Sequence, residues 1–254
     1  MDFWALVFGF GIIALMAGMI IGLGILLRNP ERSKLLALRS VDAFDELPQK
    51  AGESIESGMR IHISIGSGTV GTQTTTGALA GITVLDTVAE AATISDKPPV
   101  VTAGDGGAII LAQSALRRAY AKQNVLERYD PLTGHMTGTT PLAFAAGAAS
   151  AIRDETVSVS LLIGNFSNEI ALIADSGSNE GTYQIVGTDN IQGQAAAYVT
   201  GDEVLVGEDV YASGAYLLGG KPFHRASLHA QDILRLLIIA AIPIGIIAKI
   251  AGFF

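Results

Sequence analysis

Residues 3–27 run for 25 positions without a charged side chain. As an α-helix at 1.5 Å per residue the stretch is about 37 Å long, enough to cross a hydrocarbon layer of about 30 Å with some tilt. Whatever fold follows is therefore expected to be tied to a bilayer at its start. A cleaved secretory leader is the competing reading. Only Met1 and Asp2 precede the run, without a basic region, and no small-residue cleavage pattern follows it.

A second apolar segment covers residues 233–248, interrupted by Arg235 and followed by Lys249. Both cations can snorkel to the interfaces, which leaves residues 236–248, with Pro243 and Gly245 inside them, as the uninterrupted apolar part. A short tilted span is expected, with an interfacial or re-entrant hairpin as the alternative. Arg28, Arg32, Lys34 and Arg39 follow the first segment, Lys221, Arg225 and Arg235 precede or enter the second, and Lys249 alone lies beyond. The positive-inside rule then turns the middle of the chain to the cytoplasm and both termini outward, in an inner membrane whose lipid is the first partner. Within the first segment Ala14, Gly18 and Gly22 recur every four residues, so they share a helix face on which a second copy could pack as a homo-oligomer.

Composition narrows the classes further. The chain has 254 residues, 49% hydrophobic, with 30 Gly and no Cys, which excludes a disulfide scaffold and thiol or iron-sulfur chemistry. Its 16 basic and 24 acidic side chains leave a net charge of -8, and no basic surplus points to nucleic acid. The imbalance is local. Between Asp154 and Gly220 there are 10 acidic residues and no Lys or Arg. Glu203, Glu208 and Asp209 are the densest group, a candidate docking surface for a basic protein, with a plain solvated face as the alternative.

The pattern divides the chain into a membrane helix (1–28), an amphipathic connecting helix (29–58), an α/β domain (59–222) and a membrane approach with the second anchor (223–254). In the connecting segment Leu35, Leu38, Val41, Phe44 and Leu47 fall near one face of a helix over 31–47 that Pro48 ends. Strands are expected over 60–65, 100–103, 157–163 and 183–186, and helices over 77–93, 108–122, 141–152, 168–175 and 191–199. Residues 126–140 form a polar connection. Strands alternating with helices predict an α/β fold, a largely parallel sheet with helices on both faces, flanked by two transmembrane helices. Two βαβα halves describe the order economically, with Asp105 and Asp189 in corresponding turns; chance similarity is the alternative.

Gly66-Ser67-Gly68-Thr69-Val70-Gly71 has the GxGxxG spacing after an expected strand, where backbone N–H groups could hold a phosphate. The following helix starts late, and Asp105, at the end of the next strand, lies too far along the chain for the usual ribose-binding acid. A Gly-rich turn is the alternative. The candidate ligand residues are accordingly Gly66, Ser67, Gly68, Gly71, Gly104 and Asp105. Asp105 and Asp189 each precede a helix and so also fit as N-caps. His62 lies on a strand, and His224 and His229 approach the second anchor; no pair has zinc spacing, and local hydrogen bonding accounts for them better than a metal. No catalytic residue, metal or cofactor is assigned.

Five blocks together carry a family resemblance: Pro98-Pro99-Val100-Val101-Thr102-Ala103-Gly104-Asp105, Thr137-Gly138-Thr139-Thr140-Pro141-Leu142-Ala143-Phe144-Ala145-Ala146-Gly147, Leu162-Ile163-Gly164-Asn165-Phe166, Val206-Gly207-Glu208-Asp209-Val210-Tyr211-Ala212-Ser213-Gly214-Ala215-Tyr216-Leu217 and Ala230-Gln231-Asp232-Ile233-Leu234-Arg235. The chain resembles an uncharacterised family of bacterial membrane proteins, found notably in Chloroflexota, over nearly its whole length. Ser167 stands where that pattern has Gly, and Asp209 where it has Glu. The resemblance implies an anchor, cytoplasmic domain, anchor layout and supplies no catalytic residue. The expectation for function is a self-assembling, membrane-anchored scaffold. The alternatives are a nucleotide- or small-ligand-binding domain using the Gly66 turn, and an accessory subunit docking through its acidic half.

Overall fold

In the computed structural model residues 3–29, 31, 38–93, 95–218 and 221–250 are described. They form two units, one from the two ends of the chain (up to Arg39 and from Leu218) and one from Ser40 to Leu217.

The end unit contains α1 (Phe3–Leu26) and, at the other terminus, a long helix (Pro222–Ile250) that stays unbroken through Pro243. Both helices are long and apolar enough to cross a membrane. They pack on each other through one side of α1, where Gly24 is buried against the ring of Phe223 and the Arg28 guanidinium lies 5.5 Å from that ring's centre. A β-carbon at Gly24 would fit only if Phe223 moved. Ala14, Gly18 and Gly22 lie on an exposed part of α1, with open space where a β-carbon of either glycine would stand.

The central unit begins with α2 (Asp42–Glu56). Part of the connecting helix expected over 31–47 falls on residues 32–37, outside the described residues. Residues 38–41 are not helical, and the helix runs on past Pro48 instead of ending there. Pro48 removes one amide from the ladder. The helix persists because Ala43, Phe44, Leu47 and Ala51 bury one face, with Phe44 stacked 5.1 Å from the ring of Tyr216.

The sheet is β1 (Arg60–Gly66), β2 (Val100–Ala103), β3 (Gly134–Met136), β4 (Val157–Asn165), β5 (Tyr183–Thr188) and β6 (Glu203–Val206). Its order is β3-β2-β1-β4-β5-β6 and every pairing is parallel, the doubly wound arrangement built from two βαβαβ halves. The connecting helices are α3 (Thr75–Ala92), α4 (Gly106–Lys122), α5 (Pro141–Asp154), α6 (Ile170–Asn179) and α7 (Ile191–Thr200); the short α8 (Ser213–Leu217) follows β6, and the terminal helix Pro222–Ile250 is α9. The largely parallel sheet is thus fully parallel, and each half has a third strand beyond the two expected. β3 is three residues long inside the polar connection, and β6 is a four-residue edge. Both are too short for an alternation to register.

Ile61, Ile63 and Ile65 face α3, where Gly81 lets the helix approach Ile163 and Ile65 closely. On the other face Phe144, Ala148 and Ile152 of α5 join Leu162, Phe166, Ile170, Ile173 and Val186 in one buried cluster. The polar positions of β1 share that face and are buried too. His62 bonds Ser160 through Nδ1 and Thr102 through Nε2, each at 2.9 Å, and Thr102 donates to Ser64 at 3.0 Å. With the Thr102 hydroxyl proton committed to Ser64, Nε2 carries the imidazole proton and Nδ1 accepts from Ser160. Burial, and then the nearby His135, push His62 down from 6.5 to about 3, so it is neutral at physiological pH. His62 therefore ties three central strands together.

A candidate ligand cavity at the carboxyl ends of the first three strands

In a doubly wound sheet the ligand crevice opens where the strand order reverses, here between the carboxyl ends of β1 and β4. That point is filled. Gly66 (φ +87°) and Gly68 bring the turn after β1 against Asn165, the last residue of β4, and the Ser67 amide donates to the Asn165 carbonyl at 3.0 Å. Asn165 Nδ2 donates to Asp189 at 2.7 Å, and the Tyr211 hydroxyl donates to the other oxygen of Asp189 at 2.6 Å. Burial and that bond to Asp189 raise the Tyr211 pKa. Below them the Ser67 hydroxyl donates at 2.8 Å to Glu169, a carboxylate only 5% exposed.

The GxGxxG turn is also closed on itself. The amides of Thr69 and Gly71 donate to the hydroxyls of Thr74 and Thr75, each at 2.9 Å, and that of Val70 reaches Asp105 Oδ2 at 3.4 Å. A pyrophosphate cradle needs these N–H groups free. Thr74, just before α3, and Thr75, its first residue, occupy two of them and Asp105 the third, so the motif is built as a Gly- and Thr-rich turn.

One strand over, the surface is open. A cavity of about 310 Å³ lies at the carboxyl ends of β1, β2 and β3, lined by Ser67, Thr69, Gly104, Asp105, Gly106, Met136, Gly138, Thr139, Thr140, Pro141 and Phe144. Of the six residues expected to bind ligand, Ser67, Gly104 and Asp105 line it. Gly66 and Gly68 instead buttress Asn165, and Gly71 (φ +96°) shapes the turn outside it. Asp105 is both an N-cap and a wall. Its Oδ2 accepts from Ala108 N at 3.0 Å at the start of α4. Although Gly71 and Asp105 are 34 positions apart in the sequence, the Gly104 amide donates to the Gly66 carbonyl at 2.9 Å and brings the two turns together.

The opposite wall was not expected to take part. Thr139, Thr140 and Pro141 end the polar connection and open α5, where Thr140 caps Ala143 N at 3.3 Å and Pro141 occupies the first helical position. The Thr-Pro pair was the available signal, but it reads as a helix start and says nothing of what the start faces.

A family model described as a domain of unknown function, DUF6754, matches residues 4–254. The chain belongs to this family. The match bears out the resemblance to an uncharacterised family. No curated protein and no solved structure matches the chain.

Other expected site residues of this DUF6754 chain do not line this cavity. Asp189 does not cap a helix as Asp105 does; Asn190 caps α7 through Gln192 N, and Asp189 is turned to Asn165 and Tyr211. Glu203 begins β6, which spans about 10 Å at roughly 3.3 Å per residue, and Glu208 and Asp209 follow its end in the short helical turn that starts at Gly207 (φ +58°). Burial, with Glu46, Asp42 and Asp202 nearby, raises the Glu203 pKa. Glu46 in turn accepts from the Tyr183 hydroxyl at 2.6 Å, which fastens α2 to the start of β5.

Proposed function

We propose that this protein is a membrane-tethered ligand-binding protein, held in a bacterial inner membrane by α1 and α9 with its α/β domain in the cytoplasm. The observation that carries the reading is the cavity at the ends of β1, β2 and β3. It lies at the carboxyl ends of a parallel sheet, beside the filled switch point, and its size is at the lower end of small-molecule sites. The Lys and Arg residues beside the two apolar segments support the orientation. The test is differential scanning calorimetry of the detergent-solubilised full chain against a panel of small metabolites. A stabilising compound is expected, and Thr139→Trp, which fills the cavity, should abolish its effect. Absence of any shift, together with no bound small molecule in native mass spectrometry of gently extracted protein, refutes the reading.

A second reading, a self-assembling scaffold, is favoured by the exposed Ala14, Gly18 and Gly22 face of α1, since α9 occupies the side that bears Gly24. A close helix–helix approach through such a face would make a homo-oligomer. Mass photometry should then show oligomers that Gly18→Leu with Gly22→Leu converts to monomers. A monomeric wild-type chain at micromolar concentration rules it out.

A further inference from the structure

The cavity's own chemistry selects among ligands. None of its lining residues is Lys, Arg or His. Two helices start beside it, yet neither offers a free anion site. The Asp105 carboxylate caps α4 and places a negative charge at the end where an anion would gain from the helix dipole. At α5, Pro141 has no N–H and Thr140 takes the amide of Ala143. A phosphate would thus meet a carboxylate with no compensating cation.

The hydroxyls point to another class. Asp105 Oδ2 already accepts two backbone N–H groups, which holds the carboxylate in place. Ser67 gives its proton to Glu169 and so turns lone pairs outward. Thr140 accepts from Ala143 and keeps its proton to donate. Together with Thr139 this is a fixed, acceptor-rich rim, and the Phe144 ring and Met136 side chain make an apolar surface beside it. Adjacent hydroxyls on a ring satisfy such a rim, because each both donates and accepts and the C–H face of the ring is apolar.

Resting on the ligand-binding reading, we propose that the cavity takes a neutral ring bearing a vicinal diol, the sugar of a nucleoside or a free pyranoside, with the diol on Asp105. Phosphorylated forms are disfavoured. The experiment is isothermal titration of the detergent-solubilised full chain with adenosine, 2′,3′-dideoxyadenosine, methyl glucoside, ADP and spermidine. Adenosine or methyl glucoside should bind, and which of them does identifies the source of the diol. If it is adenosine, the dideoxy compound should bind at least tenfold more weakly. Asp105→Asn keeps an N-cap acceptor and the cavity shape. It should weaken diol binding at least tenfold while lowering the melting temperature by only about 1 °C. Binding of ADP or spermidine more tightly than either neutral ring, equal binding of the dideoxy compound, or no effect of Asp105→Asn overturns the diol assignment and leaves the ligand-binding reading standing. No binding of any probe to wild type, combined with no small molecule retained on native extraction, overturns both.

Discussion

The two halves of the sheet share a βαβαβ plan and differ at their carboxyl ends. After β1 and β2 the turns are Gly66-Ser67-Gly68 and Gly104-Asp105-Gly106, and the surface beside them is hollow. After β4 and β5 they are Gly164-Asn165-Phe166 and Thr188-Asp189-Asn190. There Asn165, Asp189 and Tyr211 bond one another, and Phe166 is wholly buried. The same backbone plan therefore permits a site without requiring one. Small residues and an aspartate committed to its own helix leave room, while an amide, a carboxylate and a phenol that satisfy one another remove it.

The join between the halves gives the largest effect that tests this comparison. Burial lowers His62 from 6.5 to about 3, so the unfolded chain binds a proton that the folded one refuses between those values. Its stabilising contribution is complete above about pH 6.5 and is lost as pH falls toward 3, a difference on the order of 5 kcal/mol. Calorimetry across that window should show a one-proton slope that His62→Gln removes. An unchanged slope in the variant would place the titrating group elsewhere.

Close strand packing comes next. A β-carbon on Gly164 would run into the Ile65 carbonyl, so Gly164→Ala should destabilise the domain by about 3 kcal/mol as the halves are forced apart. Urea unfolding that moves by less than 1 kcal/mol would show that β1 and β4 separate without cost. Asp189→Ala should cost about 1–2 kcal/mol, because Asn165 and Tyr211 each lose a partner. It should also open the closed half, seen as faster hydrogen exchange in the turn after β4 with no change in the turn after β2. Equal exchange in both turns would mean that the closed half is not held by these bonds. The smallest contrast is at the open half. Asp105→Ala should cost about 1 kcal/mol through loss of the α4 cap, whereas Asp105→Asn should cost only a few tenths. Equal losses would assign the effect to charge instead of capping.

The elements legible in advance were those with long patterns. The apolar run of α1 and the helices and longer strands of both halves lie close to where periodicity puts them. β3 and β6 were missed because three or four residues cannot show a period. The end of α2 was misjudged because Pro48 tells of a lost amide, while Phe44 and Leu47 hold the helix through contacts on the sheet domain. At the site, Asp105 was among the candidate ligand residues, with spacing counting against it only as the ribose-binding acid of the GxGxxG motif. Spacing along the chain counts the residues of the intervening turn and of α3, and the parallel pairing of β1 with β2 makes that count irrelevant.

Local chemistry is what the sequence determined by itself: two segments too apolar for water, alternating strands and helices, a glycine-rich turn, and an aspartate ahead of a helix. These follow from neighbours along the chain. The tertiary structure decided which turn is hollow and which is filled, because that depends on side chains such as Asn165, Thr139 and Tyr211 that meet only after the strands pair. It also decided that the polar residues of β1 lie in the core. Alternation marks two faces of a strand, but only pairing with Ser160 and Thr102 could satisfy His62 without water.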